Sequence, residues 1–244
     1  MLDVSHAKAM ARTLRDGLSE RSIALSHSDC LELVAHQFGF ANWNVLAARL
    51  DAPKRSAPAL ALPKGWFVTG SVTPGSHRLG LDPTAPGTIL IESLLERPAG
   101  LGSLTDRIAV LMQSVQAAPF LGRRLRLGAD LRCREADCGT IWMRVDGLER
   151  RSLAFDNLMT RAGDGPVSGD HGWTWRSIVL DVSGEAASLH FGIFLKGYGK
   201  LWARHLRLEV VDLDVPVTGG AHSEVSHDTS RLAAEPSNLG FTEV

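Results

Sequence analysis

The sequence predicts an α+β protein: a small N-terminal three-helix domain over 1–50 and an antiparallel β-sandwich over 65–217. Three observations predict it. Residues 1–50 carry apolar residues at helical spacing, with no proline and only Gly17 before Gly39. Residues 51–64 contain Pro53, Pro58 and Pro63 among small residues, the composition of a stiff linker. From 65 to 217, apolar and polar residues alternate between glycine-rich breaks. Many short strands with few helices between them favour antiparallel layers over an alternating α/β fold. Residues 218–244 are polar, with six acidic residues from Asp212 onward against Arg231 alone, and are expected to form a solvated, flexible acidic tail.

The first helix is placed by Met10, Leu14 and Leu18, which recur every four residues and share one face. The second starts at Ser26-His27-Ser28-Asp29. The Ser26–Asp29 spacing is that of a capping box, in which side-chain oxygens satisfy orphan backbone donors. Leu31, Val34, Ala35 and Phe38 supply its apolar stripe, and Gly39 suits its C-terminal cap. A third helix follows Asn42, with Trp43, Leu46 and Leu50 on one side.

The clearest strand is Arg123–Cys133. Leu125, Leu127, Ala129, Leu131 and Cys133 face one way and Arg124, Arg126, Gly128, Asp130 and Arg132 the other, the period-two pattern of a half-buried strand. Further strands are expected at Trp66–Val72, His77–Leu81, Thr88–Ser93, Ile108–Val115, Thr140–Val145, Ser152–Phe155, Trp175–Val182, Ala187–Leu195 and Leu201–Val211.

The whole chain, 244 residues with a formal net charge of -1, argues against a polyanion as main partner. No stretch approaches the roughly 20 apolar residues that span a bilayer, and no basic, apolar leader is visible at Met1–Lys8. Three cysteines, Cys30, Cys133 and Cys138, do not make a disulfide framework, so a reducing cytoplasm is expected. No zinc-binding, nucleophile-elbow or phosphate-loop motif occurs, and no cofactor or catalytic residue is expected. In residues 1–55, seven basic residues stand against six acidic ones. That is a poor match for a groove-docking DNA module, so nucleic acid is an unlikely partner.

The residues from Gly65 to about Val217 resemble a β-sandwich domain found at the C-terminus of some bacterial regulators, including AraC-type ones. The resemblance rests on Gly65-Trp66-Phe67, Gly80-Leu81-Asp82, Gly122–Leu127, Trp142–Gly147, Phe155–Met159, Val179–Val182, Phe191–Leu195 and Leu201-Trp202. It implies a jelly-roll-like, carbohydrate-binding-module-like sandwich and a binding role, with no reaction attached. Related sandwiches often end V-W-x-D-D-L, whereas Trp202-Ala203-Arg204-His205-Leu206 replaces both acids here. Residues 5–50 resemble a small helical domain of glyoxalase-related proteins, through Ser26–Ser28, Leu31–Ala35, Gly39-Phe40 and Asn42–Asn44. The paired modules and His/Glu metal set of a true glyoxalase fold do not map onto 65–217.

Two strands offer candidate ligand contacts. On Thr140–Asp146, Trp142, Arg144 and Asp146 share the face opposite Ile141, Met143 and Val145. An outward Trp142 is a flat apolar platform for a sugar ring, with Arg144 and Asp146 supplying directional hydrogen bonds. The competing reading has Trp142 packing the second face of its sheet, with Arg144 paired to Asp146 or Asp156. His190, on the polar side of Ala187–Leu195, is expected beside Trp142 and Arg144, and Gly192 would leave room for a ligand; alternatively His190 is a buried, satisfied histidine. Trp202 is the fifth candidate. Trp173 and Trp175 either line a loop-end pocket or pack a loop. Asp156-Asn157 reads as a turn, or as oxygen ligands for calcium.

The expected function is non-catalytic binding of a small molecule, a carbohydrate or a protein partner. The alternatives are a transcriptional or toxin–antitoxin-like regulator, whose helices contact DNA or a partner, and a glyoxalase-related metalloenzyme.

Overall fold

Capping determines where the helices begin. In the computed structural model, which describes residues 4–51, 57–95, 97, 107–148, 151–161, 163–220 and 232–244, Ser26 Oγ accepts from the Asp29 amide at 3.0 Å and the Asp29 carboxylate accepts from the Ser26 amide at 3.0 Å. This is the expected capping box, and it opens α2 (His27–Gln37). Gly39, at φ +76°, takes the left-handed position just past the helix end. The Asn42 side chain accepts from the Val45 amide, and Glu32 of α2 accepts from the Trp43 amide, both at 2.9 Å, so α3 (Trp43–Asp51) is capped by its own loop and by its neighbour. With α1 (Val4–Ser19), these helices bury Ala7, Ala11, Cys30, Val34, Ala35 and Leu46 in a small core of their own. Met10, expected inside, is exposed: α1 packs through its alanines, where the backbones can approach closely. The described residues divide into two compact units near Ala57, the helices forming the first.

Among the described residues the second unit has nine antiparallel strands: β1 (Phe67–Gly70), β2 (His77–Leu81), β3 (Thr88–Ser93), β4 (Ile108–Gln116), β5 (Arg123–Gly147), β6 (Ser152–Asp156), β7 (Val167–Val182), β8 (Ala186–Lys196) and β9 (Lys200–Val211). An α+β architecture of three helices and a large antiparallel sheet is therefore present. Two boundaries differ clearly from expectation: β7 begins at Val167, well before the expected Trp175, and two expected strands run together. Arg123–Cys133 and Thr140–Val145 are two halves of a single 25-residue strand, β5. Its first half pairs with β7 and β9; its second half pairs with β6 and β8. Register shifts against β7 near Cys133, Ala136 and Gly139, together with a left-handed Glu135 (φ 50°), mark where the strand changes partners.

The hydrogen-bonded order β1-β4-β8-β5-β9-β3-β2 thus contains two layers that share β5. One, the Trp202 layer, comprises β2, β3, β9, the first half of β5, and β7. The other, the Trp142 layer, comprises β1, β4, β8, the second half of β5, and β6. Leu125, Leu127, Leu131 and Ile91 from the first layer share one core with Ile141, Met143, Leu111, Phe191 and Ile193 from the second. Period-two patterning drives this. The strands turn an apolar face to this core, and burying a large aliphatic side chain contributes ~1.5–3 kcal/mol.

Two segments expected to lie outside the sandwich belong to it. Ala61, in the proline-rich stretch, accepts from the Leu81 amide at 2.8 Å, beside β2. Residues 232–244 are docked and do not match a solvated tail. Ala233 bridges Val115, Ser237 bonds Gln113, and Phe241 is buried to 1% against Trp66, ring centroids 5.2 Å apart. One aromatic side chain and a few backbone hydrogen bonds outweigh the acidic composition there. No helix among the described residues is long and apolar enough to cross a membrane.

Candidate functional site

Both layers carry tryptophan and arginine on the faces turned away from the shared core, and the two faces differ.

On the Trp142 layer the expected cluster does assemble. The β5–β8 register sets Trp142 opposite Gly192, Arg144 opposite His190 and Asp146 opposite Ser188. Arg144 Nε bonds Asp146 Oδ2 at 2.9 Å, and His190 Nε2 lies 3.1 Å from the same oxygen. Ser114 Oγ meets His190 Nδ1 at 2.7 Å and Ser188 Oγ meets Nε2 at 2.9 Å. The open indole platform is not what forms. Trp142 is only 9% exposed, packed among Val110, Met112 and Phe194, and Asp146 is fully buried. Gly192 leaves no ligand space either, because a Cβ there would lie 2.3 Å from the Leu111 carbonyl oxygen. The physical reason is the width of the layer: β4 and β8 present their own apolar residues beside Trp142, so a second apolar patch closes around the ring. Sequence periodicity gives the face of a residue but not the size of its neighbours across the sheet. Ser114, which completes this polar network, was not expected.

Trp202 is not part of that cluster. It belongs to the other layer, opposite Arg132 on β5 and Leu90 on β3. Its indole Nε1 donates to Asp82 Oδ2 at 2.8 Å, and Asp82 Oδ1 accepts from the Thr84 amide at 2.8 Å and its hydroxyl at 2.7 Å. Burial pushes the Asp82 carboxyl up, but the Thr84 and Trp202 hydrogen bonds and the nearby Arg132 charge outweigh it and hold Asp82 below the usual range. The Arg132 guanidinium lies over the Trp202 ring at 4.3 Å and over the Trp173 ring at 5.1 Å, and the Arg204 guanidinium lies over the Trp173 ring at 4.1 Å. Each such contact contributes ~0.5–2 kcal/mol, according to exposure.

A bulge completes this surface. Gly128 pairs with Arg207 and Asp130 with Arg204, so β9 carries one extra residue opposite Ala129, and His205 takes a left-handed φ of 52°. Two consecutive side chains therefore reach one carboxylate: His205 Nδ1 at 2.9 Å and Arg204 Nε at 3.5 Å from Asp130 Oδ2. The bulge falls at His205-Leu206, directly after the regularly paired Ala203 and Arg204. Opposite Asp130, Trp175 stands on β7. A Cβ on Gly128 would fall 2.2 Å from the Trp175 ring, so only glycine admits it, and the indole remains 43% exposed. Along the same face, Arg78 and Lys200 flank Glu92; Lys200 Nζ is 2.7 Å away.

Other candidates have local roles. Asp156 caps the Leu158 amide and pairs with Arg161, and Asn157 caps the Met159 amide, so this is a turn. Burial pushes the thiols of Cys133 and Cys138 up, away from nucleophilic character. Among the described residues no three His, Cys, Asp or Glu side chains converge as metal ligands would. In the helical unit, Met10, Leu14 and Leu18 of α1 and Val34 of α2 line an open groove of about 800 Å³.

Comparison with known proteins yields three kinds of likeness. A family model described as a glyoxalase superfamily protein matches residues 1–73. The chain is 32% identical over 185 residues to a Bacillus subtilis (strain 168) protein named an uncharacterized HTH-type transcriptional regulator, YbfP; the match covers 74% of this chain and 57% of that protein. The chain thus spans a little over half the length of this curated relative. Among solved structures, it is similar to the C-terminal family 22 carbohydrate-binding module of Clostridium thermocellum Xyn10B (TM-score 0.41, 9% identity, 63% of this chain and 89% of that one). It is also similar to a family 61 carbohydrate-binding module in complex with β-1,4-galactotriose (TM-score 0.38, 10% identity, 62% and 91%).

Proposed function

We propose that the β unit, a jelly-roll-like sandwich, is a non-catalytic binding module in the cytoplasm for a small molecule or carbohydrate, and that the outer face of the Trp202 layer is its binding surface. The observation that carries this reading is the exposed Trp175 ring, packed against Gly128 on the face that also holds Trp173 and Trp202. A fixed indole with one free face stacks on the apolar side of a sugar ring, and its orientation is already set before the ligand arrives. Arg132, Arg204, Asp130 and His205 surround the rings with the directional donors and acceptors that such recognition uses. Of the five residues singled out in the sequence, Trp202 belongs to this surface. Trp142, Arg144, Asp146 and His190 support it from the other layer as a closed polar and aromatic cluster.

A thermal-shift screen against a panel of neutral and acidic oligosaccharides tests the reading. A ligand that raises the melting temperature of the wild type, and has no effect on Trp175→Ala, supports it. Ligand binding that survives Trp175→Ala and Trp202→Ala overturns it.

A second reading is favoured by the relative named as an HTH-type regulator. A match of 185 residues necessarily reaches deep into the β unit, so that regulator shares a large part of it. In this reading the β unit senses an effector and the helices contact DNA or a protein. DNA binding in a low-salt gel shift supports it; no shift at low salt removes the DNA version.

A further inference from the structure

We infer that the ligand of the Trp202 layer is an acidic sugar of the uronic-acid type, its ring stacked on Trp175 and its carboxylate held by Arg132. This rests on the reading of that face as the binding surface.

The arginines of the face are not equivalent. Arg78 bonds Glu92, Arg124 bonds Asp181 at 2.7 Å, Arg126 bonds Glu209 at 3.2 Å, and Arg204 faces Asp130. Arg132, Arg134 and Arg207 make no hydrogen bond to an acid within the described residues, and of these three Arg132 is the one set over indole rings. It lies over two indole rings, and Asp82, on which its charge acts, spends both carboxylate oxygens on Thr84 and the Trp202 indole. Stacking fixes the plane of the guanidinium and leaves the in-plane N–H groups at its edge to donate. That geometry suits a planar carboxylate accepting two parallel hydrogen bonds.

The charge pattern selects the class. Asp82, Asp130 and Glu92 are interspersed with the cations, and the chain has a net charge of -1. A polyanion such as single-stranded nucleic acid, which also stacks on indoles, would run along several of these carboxylates and be repelled. A dianionic phosphate on a sugar would meet Asp130 and Asp82 with twice the charge. A single carboxylate on a pyranose ring needs one unengaged guanidinium and one stacking platform, which is what the face offers.

The test is isothermal titration calorimetry on the full chain. The probes are trimers of galacturonate, glucuronate and mannuronate, each trimer's methyl ester, a sugar phosphate, and a short single-stranded oligonucleotide. The expected result is that at least one acid binds about tenfold tighter than its own ester, the difference a lost charged hydrogen-bond pair produces. Arg132→Gln, which removes the charge and shortens the side chain while keeping a polar amide, should bring acid and ester to parity, and Trp175→Ala should lose both. If acid and ester bind equally and Trp175→Ala abolishes both, the binding surface stands and its acidic specificity is overturned. Tighter binding of the sugar phosphate or the oligonucleotide overturns the specificity in the same way. If no saccharide binds, both the specificity and the surface are overturned.

Discussion

The two outer faces of the β unit use the same residue types to opposite ends. On the Trp142 layer, an indole, an arginine, an aspartate and a histidine lie side by side, and all are sealed: the ring by Val110, Met112 and Phe194, the charges by one another. On the Trp202 layer, three indoles and two arginines alternate, and Trp175 stays nearly half exposed. What separates them is the neighbouring strand. β4 and β8 bring apolar side chains up beside Trp142, whereas β9 and β7 bring arginines and a glycine-supported indole. A tryptophan on a sheet is a core residue or a platform according to what stands across from it.

Substitutions sharpen this contrast, beginning with the largest effect. Trp142→Ala should lower stability by ~3–5 kcal/mol, the cost of emptying a packed aromatic site, while Trp175→Ala should cost under ~1 kcal/mol; urea denaturation of both variants measures the gap. Equal losses would mean the two faces are alike. Asp146→Ala should cost ~3 kcal/mol, because Arg144 and His190 lose the buried carboxylate they share. A cost near zero in the same denaturation assay would show that the cluster is not closed.

The glycines give a matched pair. Gly192→Ala sets a methyl against the Leu111 carbonyl and should destabilise by ~1–3 kcal/mol. Gly128→Ala meets only the exposed Trp175 ring. It should tip that ring away and weaken saccharide binding about tenfold with little loss of melting temperature. The smallest effect is that of pH. Asp82 has a lower pKa folded than unfolded, so its hold on Trp202 is complete above about pH 4 and fades as acid titrates it below that. Trp202→Phe, which cannot donate to Asp82, should flatten the acid limb of stability measured between about pH 5 and 2.

Much of the fold was legible because period-two and helical patterns report local faces directly. The Ser26–Asp29 box, the strands at His77–Leu81 and Thr88–Ser93, and the pairing of Arg144 with Asp146 all follow from short-range spacing. What was not legible depends on pairing across the sheet. The continuity of β5 through its change of partners, the bulge at His205, the separation of Trp202 from Trp142, and the docking of Phe241 on Trp66 are set by residues distant in sequence. The surface around Trp175 had a local trace in Trp173-Thr174-Trp175, but the glycine that makes its platform lies on another strand.

The most direct measurement follows the six indole N–H resonances by two-dimensional nuclear magnetic resonance while a uronate trimer is titrated into the full chain. Trp175, Trp173 and Trp202 should shift with saturable dependence, with Trp142 and Trp66 unmoved. Shifts confined to Trp142, or a titration in which none of the Trp202-layer indoles moves, would contradict the account.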